Sequence, residues 1–550
     1  MAQVFGVHCG ACQFIPIMVS DGTKTVLATI GGVALLREAC KLLLMFLRAR
    51  QRQTQCPASL RDRLYPEHGL GDHIMDVDGF REAGRKMVEW IADYRASCHT
   101  RSVLPTVQPG FLSDRLPAFA PAVGAPWETI FRDFEEQILP GITHWESPHF
   151  FSYFKPHASF PSVLGEFLCA GLNVIGFSWI ASPACTELEM VVCDWFAKML
   201  RLPEDFLCRG NGLGGGVIQG TAGESAIVAL LAAVAEQRQK PGFSIEKAVV
   251  YGSDQAHSIL DKACLVVGIP SHHLRKISTN FKQGYALQPD ALEKAIVEDE
   301  AAGLQPLFLF VTVGTTSTTA SDVLPPLTAV AQKKGLWVHL DAAYGGAYAI
   351  CPEFRNGLFD GMENVDSVVV NAHKKLMANF DVSLLWTRRR RALLQALSLE
   401  AEKNEYLRNA NSDKGIVIDY KDWQLPLGRR FRSLKLWFVL RSFGAEGLRE
   451  HIRNGVRLAA TFSSWVKEDD RFEVCCPSQF ALVCIRLRAG DEASERLKDA
   501  CNNSGKIHFV STKVEGQTVL RIAIGGLEMS ERDIAFAWKV LQEEATRVLV

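Results

Sequence analysis

Between about residue 160 and residue 434, short runs rich in β-branched and aromatic residues alternate with helical patterns: KAVVYGS, LFLFVTV, GLWVHLD, DSVVVNA and VSLLWTR. Apolar runs of this kind, spaced by helices, predict buried strands of a mainly parallel sheet covered by helices on both faces. Such sheets take their ligands at the C-terminal edges of the strands. No internal repeat is visible. From about residue 435 the pattern changes to long helices around LKLWFVLRSF, then to strand-like RFEVCCP, ALVCIRL and VLRIAIG, a smaller α+β unit. Upstream, DVDGFREAGRKMVEWIADY predicts a helix with an acidic first turn, proline-rich LPTVQPGF and LPAFAPAVGAPW predict extended connections, and WETIFRDFEEQIL returns to helix. Two or three helices joined by extended chain cannot bury their own faces, so this segment is expected to pack on a second subunit.

The 550 residues suffice for two or three domains with large cores, and 48% hydrophobic content is that of a globular protein. A formal net charge of −1 gives no general electrostatic case for nucleic acid or an acidic surface. Fifteen cysteines, an odd number lying mostly inside apolar runs such as ALVCIRL and FLCAGL, read as reduced thiols of an intracellular, cytoplasmic protein. Cys9 and Cys12 have CxxC spacing but lack a second pair at zinc-ribbon distance, so no metal site is expected. VLATIGGVALLREACKLLLMFLRARQR approaches the length of a membrane span, yet Arg37, Glu38 and Lys41 interrupt it, each costing about 2.5–3.5 kcal/mol near a bilayer centre. Residues 1–74 are therefore expected to form an interfacial or targeting extension rather than a transmembrane helix.

Chemistry-bearing residues collect where the predicted strands end. SVVV runs through Asn-Ala-His into Lys374, which places a lysine where a buried strand gives way to loop. Adjacent lysines are ordinarily solvated, and what sets this pair apart is its company. Asp341 ends GLWVHLD and is followed by small residues, His257 lies just past a strand in YGSDQAHS, and GGGVIQGTAGESAIVALLAA runs a glycine-rich turn into a helix. Gly210, Gly212 and Gly215 satisfy GxGxxG by spacing, but the preceding PEDFLCR is a poor strand and the helix lies beyond the motif, around TAGES, which argues against a dinucleotide site. The absence of GK[ST] removes a triphosphate P-loop. The backbone N–H groups of Thr221, Ala222 and Gly223 remain as a phosphate seat at a helix N-terminus. A lysine, an acid, a histidine and a phosphate seat are the parts needed to hold pyridoxal phosphate.

From about Met75 onward, with few gaps, the chain resembles the group II pyridoxal-phosphate decarboxylases of aromatic L-amino acids, with ASPACTELE, GGGVIQG, SDQAHS, HLDAAY and PLGRRFRSLK in the family's order. The resemblance implies a fold-type I α/β architecture: a helical dimerisation segment at 75–159, a cofactor-binding large domain at 160–434, a small C-terminal domain at 435–550, and a homodimer. It assigns Lys374 as the lysine that holds the cofactor aldehyde, although Ala372 and Lys375 replace the usual proline and aromatic around it. By the same resemblance Asp341 contacts the pyridine nitrogen, His257 stacks on the ring opposite Ala343, Thr316 and His373 are second contacts, and Asn371 reaches the phosphate from the side opposite Thr221, Ala222 and Gly223. A serine often stands where Gly223 is. Trp145 and Phe177 take positions that contact the substrate ring, while Lys155 and Pro156 depart from the pattern. Arg521 matches an arginine implicated in substrate-carboxylate contact, a buried structural ion pair being the other reading. Gly428 stands where plant relatives vary with ring size, and glycine leans toward an indole. Tyr406, in a polar segment suggesting a mobile loop, is the residue proposed to reprotonate the carbon that lost CO2; relatives with phenylalanine there tend to give aldehyde, hydrogen peroxide and ammonia. The expectation is decarboxylation to an arylalkylamine, with an aldehyde synthase and a non-catalytic dimeric homologue as alternatives.

Overall fold

A computed structural model describes residues 75–398, 410–477 and 479–550. The extension up to residue 74, with Cys9 and Cys12, and the tyrosine at 406 lie outside the described residues. Two compact units divide the described chain: residues 75–81 with Pro117–Trp127, and Glu82–Leu116 with Glu128–Val550. The second holds both sheets. Helix α1 (Val77–Ser97) buries only Ala83 along its length, and Val88, Ile130 and Ile138 of the same region stay exposed.

Helices α2 (Phe160–Leu172) and α3 (Pro183–Leu200) both start on a serine, Ser159 or Ser182, whose side chain accepts a backbone N–H of the first turn, and both place proline at the next positions, as helix starts favour. A seven-stranded sheet follows: β1 (Gly215–Gln219), β2 (Ala248–Ser253), β3 (Leu274–Ile277), β4 (Gln305–Thr312), β5 (Trp337–Asp341), β6 (Ser367–Val370) and β7 (Ser383–Thr387), in the order β1-β7-β6-β5-β4-β2-β3. Helices α4 (Ala222–Gln237), α5 (Ile259–Val267), α6 (Pro289–Ala301) and α7 (Leu324–Lys334) connect the successive strands from β1 to β5. Pairs from β3 through β6 are parallel. The link from β6 to β7 holds only the one-turn helix Ala372–Lys375, so no helix crosses the sheet and β7 returns antiparallel to β6 and β1.

The sequence reading of GGGVIQG as a turn is corrected here: Gly215–Gln219 is a fully buried strand. Glycine is needed because a Cβ at Gly216 would stand 2.7 Å from the Cys193 side chain and the Trp386 ring. Helix α8 (Ser433–Lys467), bent at Gly444 (φ 63°, ψ 177°), leads to an antiparallel sheet of β8 (Phe472–Val474), β9 (Leu482–Leu487), β10 (Val510–Val514) and β11 (Gln517–Ala523), in the order β10-β11-β9-β8, with α9 (Asp491–Asn503) and α10 (Glu531–Leu549). One apolar core runs through both sheets, joining Val338 and Val370 to Leu436, Val483 and Leu520. In contrast, α2 leaves Phe160, Leu164, Phe167, Leu168 and Leu172 between 41% and 57% exposed. No helix among the described residues is long and apolar enough to cross a membrane.

Candidate active site

Strand β5 delivers Asp341 at its C-terminal end, buried, with the Ala343 N–H donating to Oδ1 at 3.0 Å. One strand over, β6 ends at Asn371, and the one-turn helix that follows carries Lys374, whose N–H donates to the Asn371 carbonyl at 3.0 Å. The Lys374 amine lies 5.7 Å from the centre of the Phe154 ring, and the Arg521 guanidinium lies 5.0 Å from the same ring. Phe154 is stacked on Tyr344 at 3.5 Å between centroids. Burial pulls the Lys374 amine below the usual lysine range, Asp341 opposes the shift, and the Arg521 charge adds to it. A lysine in this setting holds its amine ready for a carbonyl.

His257 follows β2, half-buried, and its Nδ1 accepts the Ile259 N–H at 3.1 Å, so the neutral ring carries its proton on Nε2. Burial lowers its pKa against the pull of Asp341, with Lys374 adding to the lowering. Asp341, Lys374, His257 and Arg521 therefore share one electrostatic neighbourhood.

At the other end of this group, Thr221 caps α4, its Oγ1 accepting the Glu224 N–H at 3.3 Å. The N–H groups of Ala222 and Gly223 belong to the first turn, where no carbonyl of the helix can reach them. Asn371 points toward this end through Ser383, whose Oγ donates to Asn371 Oδ1 at 2.6 Å and lies 3.5 Å from Ser225 Oγ in α4. With its oxygen so engaged, the buried Asn371 side chain offers N–H donors. A Cβ at Gly223 would make only ordinary contacts, 3.5 Å to Thr221 Oγ1 and 3.6 Å to Ile259. Free N–H donors at a helix start, a buried carboxylate and a buried amine are the kinds of group that would meet the phosphate, ring nitrogen and aldehyde of pyridoxal phosphate.

The remaining expected residues divide. Thr316 stands half-buried in the loop after β4, whose Val313 N–H donates to the Asp341 carbonyl at 2.9 Å. His373 directs Nδ1 at the Val382 peptide, 2.8 Å from its carbonyl, and burial lowers its pKa to about 4, so only Nε2 is left for a ligand. Trp145 stacks on Phe150 and Tyr153, at 4.6 and 5.5 Å, next to Phe154 in the chain. Phe177 and Gly428 both neighbour Ile175, which is exposed: the Phe177 N–H donates to the Ile175 carbonyl at 3.0 Å and its carbonyl accepts the Lys421 N–H at 2.9 Å, and a Cβ at Gly428 would meet Ile175 at 3.8 Å.

Arg521 on β11 is 3% exposed, and no carboxylate among the described residues pairs with it; its Nε and Nη2 have no partner. Burial pulls its pKa down. A buried cation with free N–H groups is costly unless an anion arrives. Arg429, by comparison, is fully buried and paired with Glu189. Phe154 and Ser383 were not singled out by sequence reasoning. The aromatic density of GITHWESPHFFSYF marked the stretch but not the ring, and Ser383 opens a strand that reads as core.

Residues 109–488 match the family model of the pyridoxal-dependent decarboxylase conserved domain. Tryptophan decarboxylase 2 of Oryza sativa subsp. japonica is 47% identical over 483 residues, covering 86% of this chain and 96% of that protein. Phenylacetaldehyde synthase of Arabidopsis thaliana is 47% identical over 493 residues, covering 88% and 99%. A crystal structure of Oryza sativa TDC with PLP and tryptamine is similar with a TM-score of 0.84 and 40% identity, over 86% of this chain and 99% of that one. Identity of this extent, carried over nearly the whole length of each relative, places the chain in the aromatic-L-amino-acid decarboxylase family of group II pyridoxal-phosphate-dependent decarboxylases.

Proposed function

We propose that the protein decarboxylates an aromatic L-amino acid, releasing CO2 and the corresponding arylalkylamine. The observation that carries this reading is that Lys374 and a buried Arg521, two of whose nitrogens have no partner among the described residues, both lie over the ring of Phe154, itself stacked on Tyr344. A substrate with a carboxylate and an aromatic ring suits such a place, since the guanidinium is short of an anion and the surrounding rings favour another ring.

Bound pyridoxal phosphate supplies the sink for the electron pair that CO2 leaves behind. Ala222 and Gly223, with Asn371, would hold its phosphate, Asp341 would accept a hydrogen bond from its ring nitrogen, and Lys374 would hold its aldehyde carbon. His257, which feels the charges of Asp341 and Lys374, keeps its proton on Nε2 when neutral. Arg521 fixes the substrate carboxylate, and the stacked rings of Phe154 and Tyr344 give the reacting end an apolar wall.

The two relatives at 47% identity bear names of different products, so overall identity does not separate amine from aldehyde. Tyr406 favours the amine. The test is incubation of cofactor-loaded protein with tyrosine, dihydroxyphenylalanine, tryptophan, 5-hydroxytryptophan and phenylalanine, with CO2, amine, aldehyde and peroxide quantified together. Stoichiometric amine and CO2 without peroxide is the expected result; aldehyde with peroxide would replace the reading by the oxidative one. In Tyr406→Phe, peroxide and aldehyde should rise at the expense of amine. The exposed apolar face of α2, continued by Ile175 and Ile180, supports a homodimer, a second copy being the cover that the family resemblance implies.

A further inference from the structure

Two lysines that depart from the family pattern lie buried behind the site. Lys375 follows Lys374 directly and is 5% exposed; Lys155 follows Phe154 directly and is 7% exposed. Neither pairs with a carboxylate among the described residues. The Lys375 amine donates to the carbonyls of Ile524 and Gly525, at 2.9 and 3.2 Å, and the Lys155 amine donates to the Ser147 carbonyl at 2.8 Å. Gly525 has φ +99°, and a Cβ there would lie 2.7 Å from the Lys375 amine; a Cβ at Gly526 would lie 3.2 Å from the Lys155 amine. The Gly525–Gly526 dipeptide is thus threaded between the two amines, and side chains larger than hydrogen would push them off.

That dipeptide leaves β11, the strand that carries Arg521. Each lysine is in turn the chain neighbour of a residue in the site: Lys374 beside Lys375, Phe154 beside Lys155. Lys374 and Arg521 meet over the ring of Phe154 from different layers of the fold, and their separation depends on how β11 is docked. The Lys375 amine satisfies both carbonyls, which two of its N–H donors suffice to do; burial lowers its pKa to about 7, with Lys155 adding to the shift.

Resting on the function proposed above, we infer that Lys375 and Lys155 are positioning residues which dock the end of β11 against the Lys374 helix and so set Arg521 at the distance a substrate carboxylate requires. Both act through Arg521 and neither touches substrate.

The test uses the cofactor-loaded full chain and a 3-arylpropionate, which has the ring and carboxylate of the substrate but no amine and therefore binds without reacting; the matching arylalkylamine, lacking the carboxylate, is the control. In Lys375→Met, arylpropionate binding should weaken at least tenfold while arylalkylamine binding, cofactor stoichiometry and cofactor absorbance stay within twofold of the parent. Lys155→Met should shift the same ratio in the same direction. Arg521→Met should abolish the preference for the acid, and adding Lys375→Met to it should cause no further loss. Should Lys375→Met not fold, Lys375→Gln, which keeps a neutral N–H donor on a shorter stem, should show a smaller loss of the same kind. Parent-like arylpropionate binding in Lys375→Met or Lys375→Gln, or losses that add to those of Arg521→Met, would overturn the inference. If Arg521→Met itself leaves the acid's binding unchanged, it is the carboxylate assignment, and with it the functional reading, that fails.

Discussion

Replacing Arg521 by methionine should make the protein more stable and less able to bind its substrate. Arg521 is 3% exposed, and two of its nitrogens, Nε and Nη2, have no partner among the described residues. Each buried unsatisfied polar group costs about 1–3 kcal/mol. Methionine keeps most of the apolar stem, and loses a cation–π contact with Phe154 at 5.0 Å that is worth roughly 0.5–2 kcal/mol. The balance is a gain of roughly 0–5 kcal/mol, which spans the range of about 1–4 kcal/mol seen when buried ion pairs give way to apolar groups of similar volume. Charge-assisted hydrogen bonds to the lost guanidinium, about 1.5–3 kcal/mol, translate into roughly ten- to hundredfold weaker binding of a 3-arylpropionate. Urea unfolding of the cofactor-loaded protein reads the first quantity, and equilibrium titration reads the second. A variant less stable than the parent by 1 kcal/mol or more with unchanged affinity (a threshold of about the size of a single net hydrogen bond) would mean that the guanidinium is a structural support and that the argument from its unpaired nitrogens is wrong.

Asp341→Asn preserves the space at the end of β5 but removes the charge, and should lose most turnover while retaining cofactor; normal activity would remove Asp341 from the mechanism. Gly223→Ser places a hydroxyl where a Cβ meets nothing closer than 3.5 Å, and by adding a hydrogen bond to a charged phosphate, about 1.5–3 kcal/mol, should slow cofactor loss on dialysis by tenfold or more. Lys375→Met should change the pH dependence of stability. The amine, at about 7 in the folded protein against 10.5 ordinarily, binds its proton less readily when folded, so the unfolded chain holds more protons between those values and the parent gains stability as pH rises through that window. The burial penalty is complete below pH 7. Methionine removes it but gives up the hydrogen bonds to the Ile524 and Gly525 carbonyls, so the stability of the variant relative to the parent should rise by up to about 5 kcal/mol on going from pH 10 to pH 6. Lys155, His157 and His451 face the same amine and remain in the variant, and denaturant melts at four or five pH values would reveal a trend of the wrong sign or slope.

The runs KAVVYGS, LFLFVTV, GLWVHLD, DSVVVNA and VSLLWTR were legible as strands because burial on both faces leaves a dense apolar signature. Strand β1 was not, since GGVIQ owes its place to the Trp386 ring and the Cys193 side chain that Gly216 admits, neighbours far away in the chain. Nor was the direction of β7, which depends on the length and content of the link after Val370 rather than on the strand itself. At the site, the acid, lysine and histidine stood at strand ends where ligands bind, and could be picked out singly. Their common neighbourhood with Arg521 could not, because β11 belongs to a different sheet and its approach is set by packing. The burial of Lys375 ran against the ordinary behaviour of adjacent lysines, and the carbonyls of Ile524 and Gly525, with the Tyr344 ring 5.9 Å from the amine, account for it.

The bent helix α8 begins against α2, where a Cβ at Gly165 would strike the Lys435 backbone, and continues past Gly444 to Gly455, which faces Ala481 and Gly525 beneath the small sheet. A single rod thus serves as backing for two layers, and the apolar core passes along it without a seam. Because one face of the small sheet shares that core with the layer that carries Lys374, loosening the small sheet by heat or denaturant is expected to loosen the cofactor seat as well.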